Sequence, residues 1–246
     1  MTRSSSEPPS PLFLADRAEL LAASLVLGGA EGRHAAQVRR LRPGAAIELT
    51  DGAGLLARGT VAAVTRDAVT CTIEHRVEVP PGQPRIVVVQ ALAKGGRDED
   101  AVAAMTEVGV DVIVPWVAAR SVAQWKERSG ERWVLTARAA AKQSRRAWVP
   151  EIAPLASTAE VAGLLARAAL PVVLHESAQL PLASVTVPAS GDVVLVVGPE
   201  GGLSPDELEA FDAPCYRLGP TVLRTSTAGV VGVAVLLAHS ARWLSP

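Results

Sequence analysis

One carboxylate, Glu200, sits in a stretch otherwise chosen for backbone shape: V-V-G-P-E-G-G-L-S-P-D-E, residues 196–207. Gly198, Gly201 and Gly202 let main chain approach a ligand without a Cβ in the way, and they tolerate positive φ. A carboxylate among them can accept a proton, orient a reacting group, or fix the loop through a backbone hydrogen bond. A second stretch, L-G-P-T-V-L-R-T-S-T at 218–227, carries Arg224. That guanidinium can stabilise charge developing on an oxygen, or pair with an acidic neighbour. A third, L-H-E-S at 174–177, brings Leu174, His175 and Glu176 to the end of an apolar run.

Several chemistries are excluded by pattern. No G-x-G-x-x-G opens the first βα unit, and no G-x-x-x-x-G-K-[ST] occurs. The acidic helix start after the glycine loop repels phosphate. Neither a G-x-S-x-G elbow nor H-E-x-x-H is present. Cys71 and Cys215 lie outside any metal spacing and His34 has no partner at ligand distance, so no metal site is expected. The remaining reading is a ligand without phosphate, held largely by main chain.

These residues need a scaffold. Apolar runs at 86–92, 110–117, 171–175, 192–198 and 215–219 read as strands, with helices around 99–108, 132–145, 158–169 and 205–211. Continuous Val/Leu strands separated by helices predict an α/β unit with a parallel sheet covered on both faces. Ligands then bind beyond the carboxyl ends of the strands, where all three stretches fall. Ser204, Pro205 and Glu207 are in register for a helix N-cap, N1 and N3. The stretch from Thr225 is helical and apolar nearly all round, which implies burial on several faces. Upstream, A-A-I-E-L-T-D-G-A-G-L-L-A-R-G-T-V-A-A-V reads as two strands around Asp51-Gly52, and A-V-T-C-T-I-E-H-R-V-E-V as a third, a pattern that suits a small barrel. The division expected is a disordered tail at 1–11, a β-domain at 12–78, a linker at 79–85 and an α/β domain at 86–246.

Hydrophobic content of 49% gives ample material for cores, and a net charge of −1 excludes a uniformly basic nucleic-acid binder while leaving local patches open. The apolar run near residue 235 is too short to span a bilayer. The expectation is a cytoplasmic protein without a membrane segment.

G-P-E-G-G-L-S-P-D-E followed by L-G-P-T-V-L-R-T-S-T-A-G-V-V-G-V-A-V-L strongly resembles the RsmE group of the SPOUT methyltransferases. Upstream, K-G-G-R-D-E-D-A-V-A-A-M-T-E-V-G-V and R-A-A-A-K-Q-S-R-R-A-W-V-P-E-I are similar to further family segments. H-A-A-Q-V-R-R-L-R-P-G-A-A-I-E-L-T-D-G-A-G is similar to its PUA-like RNA-binding domain. The likeness covers roughly residues 12 to 244. Ala119 and Lys142 depart from it, each standing where the family commonly has Glu.

The resemblance implies a C-terminal SPOUT domain with a deep trefoil knot, a small N-terminal PUA-like β-barrel, a homodimer through the C-terminal domain and S-adenosylmethionine as methyl donor. It implies methylation of N3 of a uridine in 16S ribosomal RNA within the small ribosomal subunit. The alternatives are a relative acting on a ribose hydroxyl or on transfer RNA, and a non-catalytic RNA-binding assembly factor. The donor-binding residues implied are Leu174, His175 and Glu176; Gly198, Pro199, Gly201 and Gly202; and Leu218, Gly219, Leu223 and Thr225. Glu200 and Arg224 are the catalytic candidates. Arg33, His34, Arg39, Arg40, Arg42, Lys94, Arg97, Arg120, Arg145 and Arg146 are candidate RNA contacts, each otherwise part of a solvated charged face. Trp116, Trp125 and Trp148 read as core or interface.

Overall fold

The computed structural model describes residues 10–244, so positions 1–9 of the expected tail lie outside the described residues. Pro11, just before the first strand, accepts the Glu48 N–H on its carbonyl at 3.1 Å. Contacts divide the chain into two compact units. One takes the residues up to Pro80 together with Lys142–Trp148; the other takes Pro81–Ala141 and the chain from Val149 onward.

The first unit is a five-stranded sheet: β1 (Leu12–Leu14), β2 (Ser24–Leu27), β3 (Ala46–Thr50), β4 (Leu55–Val64) and β5 (Val69–Glu78). Their order is β1-β3-β4-β5-β2, antiparallel except where β1 runs parallel to β3. Two short helices, α1 (Arg17–Leu20) and α2 (Gly29–Arg33), intervene, and α2 runs on into a π-helical turn at His34–Val38. The predicted β3–β4 connection around Asp51 is present. Burial opposes ionisation of the Asp51 carboxyl. The N–H groups of Ala53 (2.7 Å) and Leu55 (3.0 Å) and the Arg17 guanidinium (2.7 Å) outweigh that and hold it below its ordinary range. Register shifts between β4 and β5 at Arg58/Gly59 and Val61/Ala63 bend the sheet, as bulges do. Gly59 is required at the first: a Cβ there would stand 2.0 Å from the Thr72 carbonyl oxygen. The bent sheet encloses Phe13, Leu49, Leu55, Val69 and Cys71, all buried. Residues 142–148 join this unit through Lys142 on Glu31 (2.6 Å), Arg145 on Glu48, and Trp148 Nε1 donating to the Val79 carbonyl (2.9 Å).

The second unit is a seven-stranded, wholly parallel sheet: β6 (Arg85–Ala91), β7 (Val112–Trp116), β8 (Glu151–Ile152), β9 (Leu170–Leu174), β10 (Leu180–Pro181), β11 (Asp192–Val197) and β12 (Cys215–Arg217). The order is β10-β12-β9-β11-β6-β7-β8. Helices α3 (Arg97–Val108), α4 (Ser129–Gln143), α5 (Thr158–Arg167), α6 (Pro205–Phe211), α7 (Thr225–Ala238) and α8 (Ala241–Leu244) complete it. Side chains along each strand alternate between two cores. Ile86, Val88, Val193 and Leu195 face Met105, Trp133, Val233 and Leu236. Val87, Val89, Val194 and Val196 face Val161, Leu165 and Phe211. Continuous apolar strands are the direct consequence of that two-sided burial.

From β6 the chain steps to β7 on one side, whereas from β11 it crosses past β9 to β12 on the other. Connections that run in opposite directions favour ligand binding at the carboxyl ends of the strands. Helix α7 fits closely against both strands because Gly229 and Gly232 lack side chains. A Cβ on Gly232 would stand 2.7 Å from Leu195 Cδ2, and one on Gly229 2.9 Å from Gln90 Oε1.

At the opposite end of the sheet, Arg242 of α8 donates to both carboxylate oxygens of Asp111 (2.5 and 3.2 Å), to Pro84 O (3.1 Å) and to Gly109 O (3.0 Å). Asp111 also accepts the Ile86 N–H at 2.8 Å.

Candidate active site

The loops after β9, β11 and β12 enclose a cavity of about 510 Å³, within the size range of small-molecule sites. All eleven donor-binding candidates line it, and Glu200, Arg224 and Arg120 join them. Its apolar wall comes from Leu174, Val197, Leu203, Leu218, Leu223 and Ala228.

Each loop is shaped by local chemistry. Strand β11 ends at Val197, and the turn that follows closes with the Gly202 N–H donating to the Pro199 carbonyl at 2.9 Å. Of the three glycines read as conformationally free, only Gly202 has positive φ (71°). Gly201 serves close approach instead, since a Cβ there would lie 3.0 Å from Arg120 Cβ. The capping box at Ser204 forms as expected: the Glu207 N–H donates to Ser204 Oγ at 3.2 Å, and the Ser204 N–H to Glu207 Oε2 at 2.7 Å. Glu207 has a further role that the sequence did not disclose. Its Oε1 accepts the Ala119 N–H at 2.6 Å, fastening the loop after β7 to the start of α6. The carboxylate is buried with both oxygens engaged.

In the loop after β9, the His175 N–H donates to the Tyr216 carbonyl (2.9 Å), and His175 Nδ1 accepts the Ser177 N–H (3.2 Å). That bond places the proton of a neutral imidazole on Nε2. In the loop after β12, Arg224 is the N-cap of α7, its carbonyl accepting the Thr227 and Ala228 N–H groups at 2.9 and 2.8 Å. Its guanidinium is exposed, with no acidic partner among the described residues.

Glu200 is exposed at the tip of the β11 loop. Its charge acts on Asp98 in the first turn of α3. Burial, and then the like charges of Glu99 and Glu200, push the Asp98 carboxyl above its ordinary range, against a hydrogen bond from the Ala93 N–H (2.5 Å). The interaction with Glu200 puts Asp98, in the first turn of α3, close to the catalytic candidates, on the stretch where the sequence reading set Lys94 and Arg97 as RNA contacts.

The RNA-contact candidates separate. Arg33, Arg39, Arg40 and Arg42 are exposed on the first unit, with Arg40 at φ 52°. His34 is half-buried with its ring edge-on to Phe13, centroids 5.8 Å apart. Arg145 is half-buried on Glu48, and Arg146 is half-buried with interactions of its own. On the second unit Arg97 is exposed, the Lys94 side chain lies outside the described atoms, and Arg120 stands in the cavity wall. Trp116 packs edge-on to Phe211, and Trp125 to Trp133. Among the described residues no cluster suits a metal ion, and no helix is long and apolar enough to cross a membrane.

The cavity fits S-adenosylmethionine chemically. Its apolar wall suits a flat base and its exposed main chain offers donors and acceptors. Arg120 and Glu176, both near Gly202, supply the two signs of charge that a sulfonium amino acid requires. Gly219 leaves open space where a side chain would intrude.

Comparison with known proteins agrees with this geometry. Residues 81–237 match the family described as RNA methyltransferase domain, and residues 27–74 match RNA methyltransferase PUA domain. Ribosomal RNA small subunit methyltransferase E of Mycobacterium tuberculosis is 42% identical over 243 residues, covering 94% of this chain and 93% of that protein. A solved methyltransferase from Legionella pneumophila with S-adenosylmethionine bound is 25% identical with a TM-score of 0.84, over 95% of this chain and 99% of that one. The ribosomal RNA small subunit methyltransferase E of Neisseria gonorrhoeae, at 23% identity and a TM-score of 0.80, shares the fold over 94% of this chain and 98% of its own.

Proposed function

Because the chain belongs to the ribosomal RNA small subunit methyltransferase E family of RNA methyltransferases, we propose that it methylates N3 of a uridine in 16S ribosomal RNA from S-adenosylmethionine. The observation that carries this reading is the convergence of all eleven donor-binding candidates, with Glu200 and Arg224, on one cavity at the carboxyl ends of parallel strands.

When bound, S-adenosylmethionine supplies a methyl group on a sulfonium, and the protein must align a nucleophile and remove its proton. The uracil N3–H is an imide, largely protonated at neutral pH. Glu200 accepts that proton or orients the imide, a role worth about 10²-fold in rate. Arg224, with no carboxylate partner among the described residues, stabilises negative charge on the uracil oxygens, and loss of such a group costs about 10²-fold or more. Burial first, and then the charges of Glu99 and Glu200, hold the nearby Asp98 carboxyl above its ordinary range.

Arg33, Arg39, Arg40 and Arg42 take backbone phosphates of the RNA, which makes binding salt-dependent. The target base leaves its stack to present N3. The protein works in the cytoplasm as a homodimer, with a trefoil knot formed by its C-terminal segment. Supporting the dimer, Val230, Val231 and Val235 of α7 are only partly covered, and Trp243 and Leu244 of α8 are 50% and 73% exposed.

Mass spectrometry of ribosomal RNA nucleosides from a strain lacking the protein tests the reaction: N3-methyluridine disappears, and its persistence overturns the assignment. For the residues, Glu200→Gln and Arg224→Ala each lower turnover about 10²-fold with donor affinity kept. Near-normal turnover removes that residue from the chemistry.

A further inference from the structure

The sequence places Arg120 among RNA contacts, whereas the structure builds it into the donor cavity. Its main chain is fixed from two sides. The Ala119 N–H is held by the buried Glu207 carboxylate at 2.6 Å, and the turn continues with the Ser121 N–H on the Ala118 carbonyl at 2.9 Å. Its side chain lies against the glycine loop, with Nη1 donating to the Gly201 carbonyl at 3.2 Å. The absent side chain of Gly201 makes that contact possible. Glu176 reaches the same place from the loop after β9. A methyl group built on Gly202 would lie 3.9 Å from Arg120 Nη1 and 4.0 Å from Glu176 Oε1. Two opposite charges thus stand beside one glycine, both lining the cavity, with no ion pair between them among the described residues. A guanidinium and a carboxylate in each other's vicinity but unpaired make a receptor for a zwitterion.

We propose that Arg120 recognises the α-carboxylate of the donor's amino-acid end and that Glu176 recognises its α-ammonium, so the Gly202 side of the cavity is the methionine pocket. This rests on the reading of the cavity as a donor site and assigns a chemical partner to each charge. It makes Arg120 a specificity residue for the donor, with Glu207 the residue that positions it. Arg120 has four N–H groups beyond the one spent on Gly201, enough for a planar carboxylate.

Calorimetry on the full chain separates this from a purely structural role. S-Adenosylhomocysteine carries the amino-acid group, and 5′-methylthioadenosine is the same nucleoside thioether without it. In Arg120→Gln and, separately, in Glu176→Gln, affinity for S-adenosylhomocysteine falls about tenfold or more, the size expected for losing one charge-assisted hydrogen bond. Affinity for methylthioadenosine stays within about twofold of the unsubstituted protein. An equal loss for both compounds shows that the residue only shapes the loop, and no loss for either shows that it faces solvent; each overturns the proposal for that residue. If the unsubstituted protein binds neither compound, the donor-site reading itself fails. If it binds both equally well, that reading stands and the methionine pocket is refuted. Glu176 is exposed and joins no core, so its variant reports even where Arg120→Gln lowers stability.

Discussion

The two ends of the parallel sheet are built from the same strands to opposite specifications. At the amino end, one guanidinium satisfies itself on Asp111, Pro84 and Gly109, and Asp111 in turn accepts a strand N–H. At the carboxyl end, main-chain groups are tied by turns and by Glu207, but the charged heads of Arg120, Glu176 and Arg224 project into or beside a cavity. An end whose polar groups are all spent inside the molecule can only contribute stability. An end whose backbone is fixed while its side chains keep unspent donors and acceptors can bind, which separates holding the fold from doing the chemistry.

If that separation is real, damage to one end should spare the other. The largest effect is expected at the closed end. Arg242→Met takes the guanidinium from the half-buried Asp111 carboxylate and lowers unfolding free energy by about 2 kcal/mol, the size of a lost hydrogen bond to a charged group. Urea titration measures this, while S-adenosylhomocysteine affinity in calorimetry stays unchanged. A variant equally weak in both would merge the two ends into one cooperative site. Next comes Gly202→Ala at the open end. Its φ of 71° costs an L-residue about 1 kcal/mol, so the urea midpoint falls by no more than that strain, while donor affinity falls several-fold as the loop relaxes away from its shape.

The smallest expected effect sharpens the comparison through pH. Asp98 has a raised pKa in the folded chain. Above the ordinary carboxylate range and up to that raised value, the folded state therefore binds more protons than the unfolded state. Stability declines as pH rises through this window, and the contribution is fully present only below it. Asp98→Asn keeps an oxygen for the Ala93 N–H and flattens this part of the stability–pH curve. An unchanged curve would show that Asp98 is solvated like any surface carboxylate.

How much of this was legible in the sequence followed from how local the cause was. The central strands β6, β7, β9 and β11 were readable because burial on both faces leaves a nearly uninterrupted aliphatic signature. The helix start at Ser204 was readable because capping chemistry acts within four residues. Strands β8 and β10, two residues each at the sheet edges, carry no such pattern. The attachment of 142–148 to the first unit depends on Glu31, Glu48 and Val79, far away in the chain. In the cavity, the loops after β9, β11 and β12 were visible by position after strands. Tyr216 and Val222 were not, and Arg120 was assigned elsewhere, because its meeting with Gly201 depends on the order in which strands lie side by side. The position rule already in hand covers Arg120 as well, since it follows β7 by four residues.

Helix α7 has a consequence for synthesis. The valine and leucine face of β6 and β11 that it covers is complete once residue 197 is made, yet its cover ends at residue 238 and the Arg242 clasp comes later still. During translation, therefore, part of a finished hydrophobic sheet stays naked to the cell while about forty further residues are added. The nascent chain in that interval is a natural client for a chaperone.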